Sequence, residues 1–134
     1  MKASILYLSL KNWRRDTEMK VITLGEILLR LSTADDVRLK SAKEFRVCYG
    51  GAEANVGISL AHFGHDVSVA TVLPQDNPLN DAVSSRLRMN GINTNLVATE
   101  YGRLGTYFLE QGNAGRATRV TYDRLYSSIS VLET

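Results

Sequence analysis

The residues best placed for chemistry are Gly50-Gly51-Ala52-Glu53-Ala54-Asn55, a glycine pair followed by an acid and an amide where a helical pattern begins. Glycines let a ligand approach the backbone closely, and the unpaired N–H groups of a helix start attract electronegative oxygens. Asn55 both donates and accepts hydrogen bonds, which suits sugar hydroxyls. A bare glycine pair also serves an ordinary turn, so the reading depends on the longer pattern around it. His62 and His65 lie three apart, with too few companions for a metal site, and read as surface or capping groups. Cys48 is the single cysteine, which excludes an internal disulfide or a thiolate cluster and fits a reducing compartment.

The elements that position these residues follow from the apolar pattern. Val21-Ile22-Thr23-Leu24-Gly25-Glu26 is a β-branched run closed by glycine and a carboxylate, and predicts a buried strand. Ile27 to Leu31 continues extended, Ser32 to Ser41 is a polar loop, and Phe45 to Tyr49 alternates as a half-exposed strand does. From Ala52, the apolar residues Val56, Leu60 and Phe63 recur at helical spacing, Ala54, Gly57 and Ala61 allow close packing, and Gly64 supplies the stop. Val67 to Val72 is the next strand, and Leu73 to Pro78 a loop. Asn80 to Asn90 forms a second helix with Ala82, Val83, Leu87 and Met89 turned inward, capped by Gly91. Leu104 to Gln111 and Arg116 to Arg124 flank Gly112-Asn113-Ala114-Gly115 as a β-hairpin. Alternating strands and helices predict a parallel α/β sheet with right-handed crossovers, from which the hairpin is an excursion.

Composition bounds the class. At 134 residues, 44% hydrophobic and 22% charged, the chain fits one ordinary globular domain. The net charge of +2 is too small to attract nucleic acid or anionic lipid by field alone. The apolar run Ala3 to Leu10 is too short to span a bilayer and lacks a cleavage site, so no membrane role and a cytoplasmic location are expected. Residues 1–18 read as an extension of unknown role, joined to a chain that could have begun at Met19.

The stretch Gly50-Gly51-Ala52-Glu53-Ala54-Asn55-Val56, followed by Ser59, Ala61 and Phe63-Gly64, resembles the first signature of the PfkB/ribokinase-like carbohydrate kinases. Val21 to Glu26, Leu73-Pro74 with Asn77-Pro78-Leu79, and Gly102 to Glu110 support the resemblance, which runs from about Met19 to the end. Leu104-Gly105-Thr106-Tyr107 and Val120-Thr121-Tyr122-Asp123-Arg124 are most similar to the 2-keto-3-deoxygluconate kinases within that family.

The resemblance implies a Rossmann-like α/β core over 19–134 with an inserted β-sheet lid, roughly residues 27–50 and 104–124. It implies that Gly51 and Asn55 contact substrate hydroxyls, that Tyr107 and Tyr122 line the lid side, that Arg124 meets a substrate carboxylate, and that Glu26 holds sugar hydroxyls. Arginine offers a planar fork to a carboxylate, and tyrosine presents a face and a hydroxyl to a sugar acid. Each also has a plainer reading: Glu26 as a solvent-facing acid, the tyrosines as lid packing, Arg124 as an exposed strand cation.

Departures from the family pattern matter equally. Asn80 stands where the family usually has glycine in its Asn-Pro-Leu-Gly turn, and is expected to take positive φ. The family's second signature, Asp-Thr-x-Gly-Ala-Gly-Asp, has no counterpart in the 134 residues. ATP and Mg²⁺ are implied for the full-length family, no cofactor is assigned to these residues, and phosphoryl transfer by them alone is not expected. The chain thus reads as the sugar-binding, N-terminal portion of a sugar-acid kinase. Its rivals are a portion of a fructose or ribose kinase, a non-catalytic oligomerisation or regulatory module that retained the fold, and a truncated gene product. Lacking later strands, it is expected to expose sheet edge and apolar face and to self-associate, with the hairpin 104 to 124 as the contact between copies.

Overall fold

The computed structural model describes residues 20–133, so the proposed extension 1–18 lies outside the described residues. The chain builds two sheets. The first contains β1 (Lys20–Leu24), β4 (Asp66–Pro74), β5 (Ile92–Asn93) and β6 (Val97–Glu100). All its pairings are parallel: β1 runs along one edge of β4, while β5 and then β6 lie along the other. Two helices, α1 (Ala52–His62) and α2 (Asn80–Met89), follow β3 and β4 respectively, as the sequence pattern predicts. The second sheet has the order β3 (Arg46–Gly50), β2 (Leu28–Ser32), β7 (Thr106–Glu110), β8 (Arg119–Asp123). Its hairpin β7–β8 pairs Tyr107 with Tyr122 across the strands.

Alternation along β4 explains the core. Val67, Val69, Thr71 and Leu73 are buried in turn, because every second side chain of a strand points to the same face. Ala54, Val83, Leu87, Ile92, Ile27 and Leu104 complete the cluster. The strand continues through Leu73 to Pro74, past the predicted loop start, because β6 pairs with Thr71 to Pro74 and Leu73 is buried. Neither β5 nor β6 was expected; both are too short to carry a readable period.

The helices sit differently from their apolar pattern. In α1 the buried residues are Ala54 and Gly57, while Val56 and Phe63 are 55% and 80% exposed. Small residues win the inward face because the helix lies close on the sheet; a methyl at Gly57 would already press on Thr23, Val67 and Ile92. In α2, Val83 and Leu87 are buried one turn apart, but Ala82 is exposed and Met89 is 80% exposed. Two residues beyond Leu87 is about 200° around the helix, which turns Met89 outward. Asn80 is also corrected: it is helical, and its carboxamide donates to the Pro74 carbonyl at 2.7 Å. The positive φ of that turn falls on Asp76 instead.

Ile22 and Leu24 alternate outward on β1 and are exposed on the sheet face opposite α1. The expected open apolar face is therefore present among the described residues. The α2 register predicts that Leu87→Ala lowers unfolding stability in urea by about 2–5 kcal/mol. Met89→Ala should stay within about 0.5 kcal/mol of wild type; equal losses for both would show the helix face to be misassigned.

Candidate functional site

The chain leaves the first sheet at Leu24 and enters the second at Leu28, with Gly25-Glu26-Ile27 as the whole connection. Glu26 is thereby fixed at the seam. Its side chain is 6% exposed, and its Oε2 accepts from both Nε and Nη2 of Arg124, each at 2.6 Å. Arg124 follows β8 directly, so this ion pair ties the end of the hairpin to the connection. Oε1 of Glu26 is buried and accepts no hydrogen bond. It lies against Gly105, where any added methyl would overlap both the carboxylate and Leu28. The solvent-facing reading of Glu26 does not hold; the acid is buried and paired.

Gly51 closes the same seam from the other side, since a side chain there would overlap the Glu26 carbonyl oxygen. Its extended backbone caps α1, and Asn55 N–H makes the first helical bond, to the Gly51 carbonyl, at 2.9 Å. The N–H groups of Ala52, Glu53 and Ala54 precede that bond and remain outside the helical ladder. An open cleft of about 670 Å³ forms beside this helix start, walled by Glu26, Gly51, Glu53, Tyr122, Arg124 and Ser127. Glu53 reaches back over Gly25, bringing a second carboxylate to the wall.

A smaller recess of about 60 Å³ lies where α1 and α2 meet the second sheet, lined by Arg30, Cys48, Tyr49, Asn55, Arg86 and Tyr107 together with Gly50. Tyr107 lines the recess and Tyr122 the cleft, and their rings are in contact, 5.7 Å between centroids and tilted by 40°. The six residues singled out from sequence therefore fall into two groups. Glu26, Gly51, Tyr122 and Arg124 line the cleft, Asn55 and Tyr107 line the recess, and the tyrosine pair joins them. Asn55 makes no side-chain hydrogen bond, and its Oδ1 lies close to Gly50. Cys48 is half-buried on the recess wall, and His62 is exposed at the end of α1.

Sequence reasoning missed Glu53 as a cleft residue and overlooked Arg30 and Arg86 altogether. Arg30 carried a readable signal, a charge interrupting the apolar run Ile27 to Leu31. Arg86 carried none, because it looks like any cation in a helix last turn.

A parallel sheet covered by helices on one face, with a second four-stranded sheet entered from it through three residues, is the N-terminal part of a ribokinase-like α/β fold. The model of the pfkB family carbohydrate kinases matches residues 18–132, and the chain belongs to that family. It is 50% identical to a 2-dehydro-3-deoxygluconokinase of Thermotoga maritima, whose crystal structure superposes with a TM-score of 0.78 over 84% of this chain and 34% of that one. A PfkB family carbohydrate kinase of Listeria grayi is 41% identical, with a TM-score of 0.78 and coverage of 84% and 35%. A 2-dehydro-3-deoxygalactonokinase of Haloferax volcanii is 32% identical over 111 residues, 83% of this chain and 35% of the relative. The chain spans about a third of the length of these relatives.

Removing Arg124 would strand a buried carboxylate. Because Arg124 itself is 52% exposed, the expected cost of Arg124→Ala is about 1–3 kcal/mol rather than the larger loss of a fully buried pair. Glu26→Gln added to that variant should restore part of the loss in a urea double-mutant cycle, whereas strictly additive effects would show the pair to be uncoupled.

Proposed function

We propose that these residues form the sugar-binding part of a carbohydrate kinase whose acceptor is a keto sugar acid such as 2-keto-3-deoxygluconate. The observation that carries the proposal is the gathering of Glu26, Gly51, Tyr122 and Arg124 on one cleft, with Asn55 and Tyr107 on a second recess that the Tyr107–Tyr122 ring contact links to it. Likeness to relatives named for 2-keto-3-deoxy sugar acids supports the acid over a neutral sugar. On this reading the sugar chain lies along the tyrosine rings. Its hydroxyls meet the helix-start amides beside Gly51, the Asn55 carboxamide and the carboxylates of Glu26 and Glu53. The rest of the reaction, transfer of the γ-phosphoryl of ATP with Mg²⁺, belongs to the family's second signature, which the 134 residues do not contain. Positioning of donor and acceptor carries most of such a transfer, so these residues supply acceptor binding without turnover.

The proposal places the protein in the cytoplasm; no described helix is long and apolar enough to cross a membrane. It also includes association of two copies through the lid. Among the described residues β8 pairs only with β7, leaving an outer strand edge with Val120 exposed, and sedimentation should show a dimer.

Calorimetric titration of the 134-residue polypeptide is expected to show binding of 2-keto-3-deoxygluconate, and weaker binding of fructose. Tyr122→Ala should weaken the acid by roughly tenfold, the worth of a lost aromatic contact. Tighter binding of fructose would move the assignment to a neutral-sugar kinase, and no binding of either sugar, with a stable dimer, to a non-catalytic module. Phosphorylation of the acid by this polypeptide with ATP and Mg²⁺ would refute the division of labour.

A further inference from the structure

Three charged side chains line the cleft beside the start of α1: Glu26, Glu53 and Arg124. The described residues contain three ion pairs, Arg103 with Asp123, Arg116 with Glu110 and Arg124 with Glu26, and Glu53 belongs to none of them. The only cation on the wall is thus engaged by Glu26, and Glu53 is the carboxylate left over. It lies in the first turn of α1, beside the N–H groups that precede the helical ladder. Its course is fixed by two glycines. A methyl at Gly25 would overlap the Glu53 carboxyl group, and a methyl at Gly51 would stand 3.8 Å from its Oε2, so the carboxylate lies over the seam at the entry to the helix. A glycine approach followed by a helix start is otherwise a ready seat for a phosphate group, because unpaired N–H groups and the helix dipole both attract negative charge. Here that seat already carries a negative charge of its own. Oε1 of Glu26, buried on the same wall and accepting no hydrogen bond, likewise offers a donor a partner and an anion none.

We propose that Glu53 is a specificity-determining residue that turns phosphate-bearing ligands away from the start of α1 and leaves its amides to neutral hydroxyl groups, an inference that rests on the sugar-kinase reading above. A phosphate ester brings between one and two negative charges against the Glu53 carboxylate, at roughly −1.5 to −2 near neutral pH. A hydroxyl brings none and can donate to it. Phosphoryl transfer turns a ligand without a phosphate into one that carries it, so a wall that disfavours the second kind holds acceptor in preference to phosphorylated product. Glu53 is exposed, so the effect is open to screening by salt, which a purely structural role for the side chain would not be.

The test titrates inorganic phosphate, 2-keto-3-deoxygluconate and the terminal phosphate ester of that acid into the 134-residue polypeptide and its Glu53→Gln and Glu53→Asp variants, at low and at raised salt. Backbone N–H resonances of Ala52 and Ala54 report on the helix start. Inorganic phosphate should leave them in place in the wild type and shift both in Glu53→Gln. The affinity of the ester relative to the acid should rise by roughly tenfold in Glu53→Gln, as removal of one carboxylate facing a doubly charged group requires. Glu53→Asp, which keeps the charge, should keep the rejection, and raised salt should narrow the gap between wild type and Glu53→Gln. Matching circular dichroism melts exclude misfolding as the cause. An unchanged ratio of ester to acid in Glu53→Gln overturns the inference. So does a phosphate shift at Ala52 and Ala54 already present in the wild type, or absent from Glu53→Gln. A phosphate shift confined to Glu53→Gln, with no binding of the acid to any of the three proteins, upholds the role of Glu53 and refutes the sugar-kinase reading instead.

Discussion

The structure depends on how briefly the chain passes between its two sheets. Gly25-Glu26-Ile27 carries it from β1 into β2, and a connection of three residues allows little independent movement of core and lid at that point. Glu26 sits inside the connection with its carboxylate buried, and its charge is met by a cation from the distant end of the hairpin. Burying a carboxylate is costly unless it is paired, so the position of Arg124, and with it the end of β8, is tied to the seam by electrostatics as well as by strand pairing. Gly51 and Gly105 complete the arrangement by leaving out the atoms that would collide with Glu26. The cleft exists because these constraints hold helix start, connection and hairpin within reach of one another.

Much of this was legible in the sequence because it was local. Glycine pairs, β-branched runs and the glycine-bounded hairpin turn announce themselves within a few residues. The predicted strands and helices appear in their predicted order, although β5 and β6 come unforeseen and the hairpin connection runs from residue 111 to 118, longer than the four residues expected. The faces of the helices were less legible. Apolar spacing in α1 pointed to Val56 and Phe63, but helix and sheet approach through Ala54 and Gly57, and close approach favours small residues over large ones. Hydrophobicity alone carries no information about separation between layers. The sheet face bearing Ile22 and Leu24 stays open to solvent, and Val56 and Phe63 share that exposure, so much of the apolar pattern describes surface rather than the core seen here.

The candidate site divides along the same line between local and distant. Gly51 and Asn55 are four residues apart and readable as one motif. Arg30 and Arg86 are separated by 56 positions and meet only because β2 and α2 close on the same recess. Arg30 at least interrupts an apolar run, whereas nothing in the neighbourhood of Arg86 distinguishes it from a solvated surface charge. What sets the two apart is that they line one recess with no carboxylate on its wall, a property of the folded arrangement that no window of sequence contains.

That contrast gives the two ends of the site different chemistry. At the seam, Arg124 is neutralised by Glu26, so the pair presents a polar surface of low net charge, suited to hydroxyl groups that both donate and accept. In the recess, Arg30 and Arg86 present charge with no carboxylate on the wall. The overall charge of +2 conceals this polarity, because the molecule's field is weak while its local charges are unevenly compensated.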